Sequence, residues 1–225
     1  MNQSKVRGKR LFYFETAIYV ITLLYSFYHS WQIQDMNALG MSVVACITPW
    51  IVPVIFRLFH WKPIYEILIC NITFVYFASL IGSCFHGYSV LGFDKALHFS
   101  SGLLLTIAAV ILFMVIKKSA HIDDPDDYRL FLLFINAMNL AIAVCWEFFE
   151  YAMLIFFQND CINHYTQGVH DSITDMMCAG VGGLLVTLCI VHAYRHHHDN
   201  FITRLCEKFY ILNIQNHRTK KQTDE

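Results

Sequence analysis

Six residues of this chain have the types and the spacing to do chemistry together. Asp94 and His98 stand four apart in LGFDKALHFSSG, Glu147 and Glu150 three apart in WEFFEY, and Asp171 and Asp175 four apart in HDSITDM. On a helix, such spacings put both members of a pair on one stripe. Carboxylates with one imidazole make a ligand set for a divalent metal (Mg, Mn, Fe or Zn), and all six residues would serve as ligands. A metal held there would polarise a phosphoryl or acyl oxygen and lower the pKa of a bound water. The same groups can act without a metal, with His98 as acid and base, Asp94 orienting it, and Glu147 or Glu150 as its partner. Two other uses compete with catalysis. The cluster could line an ion or proton path in a transporter, or serve only as a hydrogen-bonded polar core that fixes helix packing.

The elements that must position these groups are membrane helices. Soluble domains carry about 25% charged residues, whereas this chain has 15% charged and 56% hydrophobic residues. Its many aromatics (Phe 19, Tyr 12) flank the apolar runs, as interfacial belts do. A spanning helix needs about 20 mostly apolar residues, and six stretches qualify: about 11–31, 39–59, 64–83, 96–116, 131–154 and 172–194. The second contains Pro49 and Pro53, which predict a kink. The first apolar run lacks a small-residue cleavage site, so it reads as a span and not as a leader. With six spans, every Lys and Arg of the 16 except Lys95 falls on one side, which places both termini in the cytoplasm.

That orientation brings the three pairs to one depth. The fourth span enters from outside at Asp94 and His98, the fifth leaves through Glu147 and Glu150, and the sixth enters through Asp171 and Asp175. Asn136, Asn139 and Ala143 continue the glutamate stripe, and Cys178, Ala179 and Gly182 continue that of the aspartates. Small residues on those faces let helices approach closely, so the polar stripes are expected to face one another. Inserting one Asp at mid-bilayer costs about 2.5–3.5 kcal/mol on insertion scales. Five clustered carboxylates cannot all ionise, because neighbouring charges raise each other's pKa. Protons, a cation or open water must therefore compensate them.

The rest of the chain offers less. His164 and His170 lie in the outer loop and could gate the site, while His196, His197 and His198 read as a solvated tract. KKSAHIDDPDDYR reads as a polar connector, and Glu15 and Glu66 have no assigned role. Cys84 and Cys161 fall in loops on the same side, so a disulfide between them is open. In FITRLCEKFYIL, Phe201, Leu205, Phe209 and Leu212 share a face, which predicts an amphipathic helix on the membrane surface. The last dozen residues are expected to be disordered. There is no phosphate-cradling glycine loop, nucleophile elbow or nucleic-acid patch.

DKALHFSSGLL, WEFFEY and HDSITDMMCAGVGGLL, in that order, resemble the YjdF-like family of bacterial inner-membrane proteins, and more distantly the VanZ-like proteins associated with teicoplanin resistance. Asp94, Lys95 and His98 match the first shared element, Glu147 and Glu150 the second, and Asp171 and Asp175 the third. The VanZ-like pattern tends to have Gln at the place of Glu150, and a later Asn where this chain has Cys178 or Ala179. The resemblance covers roughly residues 90 to 190 and implies a helical integral membrane protein; a role at the cell envelope comes from the VanZ-like side alone.

These readings converge on an all-α integral membrane protein, a bundle of about six transmembrane helices over residues 1–198 with both termini inside. A cytoplasmic tail, 199–225, is amphipathic and then disordered. The expected location is the cell (inner or cytoplasmic) membrane, as a multi-pass protein. Its expected function is a metal-assisted or acid/base hydrolase or transferase acting on a lipid or cell-envelope intermediate. The alternatives are a cation- or proton-coupled transporter, or a non-catalytic envelope or resistance factor. The bilayer is the expected partner, with no nucleic acid.

Overall fold

The six apolar stretches become six helical segments long enough to cross a bilayer: Val6–Gln32, Met36–Leu58, Tyr65–Cys84, Phe93–Lys117, Pro125–Phe157 and Val169–Arg195. The structure, a computed structural model, describes residues 3–122, 124–161 and 163–215, and contains no strand among them. Only 17 to 39% of each segment's most apolar window is buried within the protein. The remaining apolar surface needs an apolar solvent, so this is a multi-pass membrane protein. The chain forms two compact units, Met1–Leu97 and His98–Glu225.

The first unit contains α1 (Gln3–Gln32), α2 (Met36–Ile47), α3 (Ile51–Leu58) and α4 (Tyr65–Val75). The predicted kink is a 3₁₀ turn at Thr48–Trp50, because proline cannot continue the hydrogen-bond ladder. The carbonyl of Pro49 is satisfied by Asn71 Nδ2 at 3.0 Å. Tyr19, Ala45, Ile72 and Leu80 centre the core, and the Tyr19 hydroxyl donates to the Ala45 carbonyl at 2.7 Å. Beyond Val75 the ladder widens into π-helical turns over Tyr76–Cys84, which the sequence reading did not anticipate. Gly87 packs against this segment, where a Cβ would stand 2.6 Å from the Ile81 carbonyl oxygen.

Asp35 caps α2 by accepting from the Ala38 N–H at 2.9 Å. That bond, helped by His86 with its Nε2 3.0 Å from the carboxylate, holds the Asp35 pKa below the usual carboxylate value. All eight cysteines are thiols, so Cys84 and Cys161 form no disulfide; Cys84 instead accepts from the Ser42 hydroxyl at 3.6 Å in the core.

The second unit is built on α5 (Phe93–Lys117), α6 (Pro125–Phe157), α7 (Val169–Arg195) and α8 (Phe201–Tyr210). The helix α5 runs unbroken through the division at Leu97. The polar connector is more than a solvated link. Asp124 caps α6, accepting from the N–H groups of Asp126 and Asp127, with Pro125 at the first helical position. Those two bonds depress the Asp124 pKa, the larger cause being the Asp127 N–H. This cap starts α6 at Pro125 and makes it 33 residues long, well before the expected start at 131. Ala109, Val110, Phe113, Phe131, Ile135, Val186 and Ile190 form the core at the α6 start.

The tail departs from expectation. The helix α8 does not present its apolar face as a free surface: Leu205, Cys206, Phe209 and Tyr210 are buried, and Cys206 joins the core. Phe201, placed on the same face by the sequence, is exposed, and Leu212 is half-buried. A capping box at Asn200 and Thr203 starts the helix. Asn200 Nδ2 then ties it to the Cys189 carbonyl at 2.8 Å, and the Tyr210 hydroxyl donates to the Lys118 carbonyl. Burial pushes the Cys206 thiol pKa up to about 12. The stretch expected to be disordered lies, from residue 216 on, outside the described residues.

Candidate metal centre

Glycines set the spacing that the site depends on. A Cβ on Gly102 of α5 would overlap the Ala179 carbonyl oxygen of α7, and one on Gly182 of α7 would overlap the Phe99 carbonyl oxygen of α5. The two helices therefore run in backbone contact, residue 102 beside 179 and residue 99 beside 182. One turn earlier on each, His98 and Asp175 are brought opposite one another. The separation is 3.7 Å from His98 Nε2 to Asp175 Oδ1, with the side chains 11% and 2% exposed.

The third helix is held by a polar seam. Asn139 Nδ2 donates to the Ala179 carbonyl at 2.9 Å, and Asn136 Nδ2 donates to the Thr187 hydroxyl at 3.0 Å. Gly183 leaves room for this seam, because a Cβ there would meet Asn139 Nδ2 and Thr106 Oγ1. The expected stripes of small and polar residues thus do face one another. On α6, the stripe of Asn139 and Ala143 leads to Glu147, which is buried.

Two groups of ligand atoms result, each lying within 4.8 Å of one another: Asp94, His98 and Asp175 in one, and His98, Glu147 and Glu150 in the other. His98 belongs to both. Glu150 accepts from Trp146 Nε1 at 2.8 Å, and Lys95 Nζ lies 3.3 Å from Asp94 Oδ2. Donors on opposite sides of one ion, each about 2.2 Å away, stand about 4.4 Å apart. Three donors spread evenly about one ion stand closer, about 3.8 Å apart, so side-chain rotation that moves them together by up to about 1 Å would close either group on an ion. Four carboxylates and one imidazole are a donor set for Mg, Mn, Fe or Zn, and they could hold such a metal.

Asp171, the sixth predicted ligand, is in neither group. It is buried, and accepts from Asn163 Nδ2 in the loop at 2.8 Å. The reason lies in side-chain direction. Cα–Cβ bonds tilt toward a helix's own N-terminus. On α6 this tilt carries Glu147 and Glu150 back toward the level of Asp175, whereas on α7 it carries Asp171 away, toward the loop. His164 and His170 also join neither group. Sequence reasoning missed Asn163, Trp146 and Thr106. Trp146 was legible from its four-residue spacing to Glu150, but Asn163 was not, because only the loop's path brings it to Asp171.

The family described as "Predicted membrane protein (DUF2238)" matches residues 11–197, a range that reaches into all six apolar segments. The YjdF-like resemblance is to this same family, and the VanZ-like one gains no support. No curated protein and no solved structure matches the chain.

Proposed function

The chain belongs to the predicted membrane protein family DUF2238, and we propose that it binds a divalent cation at His98 and acts as a hydrolase or transferase on a lipid or cell-envelope intermediate. The observation that carries this reading is that one imidazole is shared by two carboxylate groups contributed by three helices. A cation so held would polarise a phosphoryl or acyl oxygen of the substrate. Asp94, Glu147, Glu150 and Asp175 supply the charge that holds it, and the ligand not engaged at a given moment is placed to take a proton. Without a metal, His98 between Asp94 and Asp175 is an acid/base pair of the same reaction class.

Elemental analysis tests the metal. Protein purified without chelators should carry about one divalent ion per chain, and His98→Ala should weaken binding by about 100-fold or more, beyond the range seen for residues that only support a ligand. Wild-type protein that neither carries nor takes up Mg, Mn, Fe or Zn would remove the metal and leave the acid/base reading.

The transporter reading has one observation in its favour, the seam from Asn139 to Thr187. Past it, Phe131, Ile135, Val186 and Ile190 close the bundle with apolar side chains, which favours a site open at one end only. That end faces outward in the proposed orientation, in the cell membrane with both termini inside. The exposed Asn159, in the loop after α6, reports on it. In a Cys161→Ser background, Asn159→Cys should react with an impermeant maleimide on intact cells; labelling only after permeabilisation would reverse the orientation.

A further inference from the structure

The three consecutive histidines after α7 do not form one site. His196 N–H donates to the His192 carbonyl at 3.1 Å, so helical register continues through His196. The chain then turns: His197 has a left-handed φ of 49°, and the His198 N–H reaches back to the Ala193 carbonyl at 3.0 Å. His197 and His198 consequently line a cavity of about 320 Å³ with Tyr128 and Cys206, to which His196 does not contribute. His196 instead pairs with His192, four residues back. Their rings are 4.4 Å apart between centroids and tilted by 46°, and both side chains are exposed.

We propose that His192 and His196 chelate a divalent transition-metal cation of the Ni, Cu or Zn class at the C-terminal end of α7. Two imidazoles at this helical spacing present nitrogens to one ion, the same arrangement by which helical His pairs bind zinc. Metal–nitrogen bonds of about 2.0–2.1 Å require nitrogens roughly 3 Å apart, within reach of side-chain rotation from a 4.4 Å ring separation. The partial negative charge of the helix C-terminus favours a cation there. Solvent completes the coordination, because both rings are exposed. The chemistry differs from that of the carboxylate cluster: two imidazoles and no carboxylate favour copper and nickel over magnesium or manganese. The two sites are also well separated. Asp175 and His192 lie 17 positions apart on one helix, or about 26 Å at about 1.5 Å per residue.

The test is calorimetric titration of the full chain in detergent with Ni²⁺, after purification through a tag that contains no histidine. Beside any ion taken by the carboxylate cluster, wild type should show a Ni²⁺ site that His98→Ala retains, and in the His98→Ala background His192→Ala and His196→Ala should each weaken it about 10-fold or more. The double variant His197→Ala/His198→Ala should leave it within about three-fold. Cu²⁺ in place of Ni²⁺ should show two nitrogen ligands by electron paramagnetic resonance, and His192→Ala should remove one. Unchanged binding in His192→Ala, loss in the His197/His198 double variant, or no binding by wild type would each overturn the proposal. Loss confined to His98→Ala would overturn it too, and would assign the ion to the carboxylate cluster. All substituted positions of the tract are exposed, and a thermal melt of each variant checks that it folds.

Discussion

Gly182→Ala is expected to weaken metal binding at His98 by about 100-fold without altering a ligand. The added methyl would overlap the Phe99 carbonyl oxygen, and backbone cannot rotate away as a side chain can. The helices α5 and α7 must separate, at a cost of about 1–3 kcal/mol, the usual range for overpacking a well-packed core. His98 sits just before Phe99, so the displacement passes directly into the 3.7 Å gap to Asp175. Metal ligands tolerate about ±0.2 Å, so a shift approaching 1 Å should lower affinity by about 100-fold. The neighbouring Gly180→Ala is the control. Its methyl would meet only Leu140 Cδ2, at 3.4 Å, an ordinary contact, and should leave stability and ion content unchanged. Thermal unfolding and bound metal, measured on both variants in one detergent, decide the matter. Equal behaviour of the two would show that helix separation does not set the site.

The second large effect separates two aspartates that the sequence treats alike. Asp171 and Asp175 are each 1% exposed and stand one turn apart on α7. Asp175→Asn removes a charged oxygen from the group with Asp94 and His98 and should weaken ion binding by about 100-fold or more, as loss of a direct ligand exceeds loss of a supporting one. Asp171→Asn should change ion binding by less than about three-fold. Its loss falls on the loop instead, through the bond from Asn163, at about 1–2 kcal/mol of stability for a weakened charged hydrogen bond. Equal loss of metal in both variants would restore the full six-residue ligand set and refute the geometric exclusion of Asp171.

The difference between those aspartates shows where the sequence stops being readable. Spacing puts Asp171 and Asp175 on one stripe, and that much is correct. Spacing carries no sign for the direction in which a side chain leans along the bundle axis, and the sign separates Asp175, grouped with Asp94 and His98, from Asp171, which meets the loop. The six spans were legible because a bilayer demands long apolar runs, and the break at Thr48–Trp50 because Pro49 is visible as a letter. The docking of α8 was not. An apolar stripe says that a face will be covered, not whether lipid or protein covers it, and here the protein's own core does, at Cys206 and Phe209. The cap at Asp124 was readable from the order Asp, Pro, Asp, Asp, yet the charges drew attention to solvation instead. The π-helical turns at Tyr76–Cys84 leave no mark in composition; within and beside them Gly82 and Gly87 make close contacts with Tyr88 and Ile81 that exist only once the chain has folded.

The length of α6 serves as a ruler for where the chemistry stands. At about 1.5 Å per residue, a helix of 33 residues is about 50 Å long, against a hydrocarbon layer of about 30 Å. The charged first turn, with Asp126, Asp127 and the Arg129 that follows, belongs in water or headgroups. Counting from Arg129, Glu147 lies about 27 Å further along and Glu150 about 32 Å. The opposite hydrocarbon boundary is crossed at about that height. On the proposed reading, His98 and its carboxylates would then stand near the level of lipid phosphates and ester carbonyls, where a lipid substrate would present its headgroup while its tails stay in the bilayer.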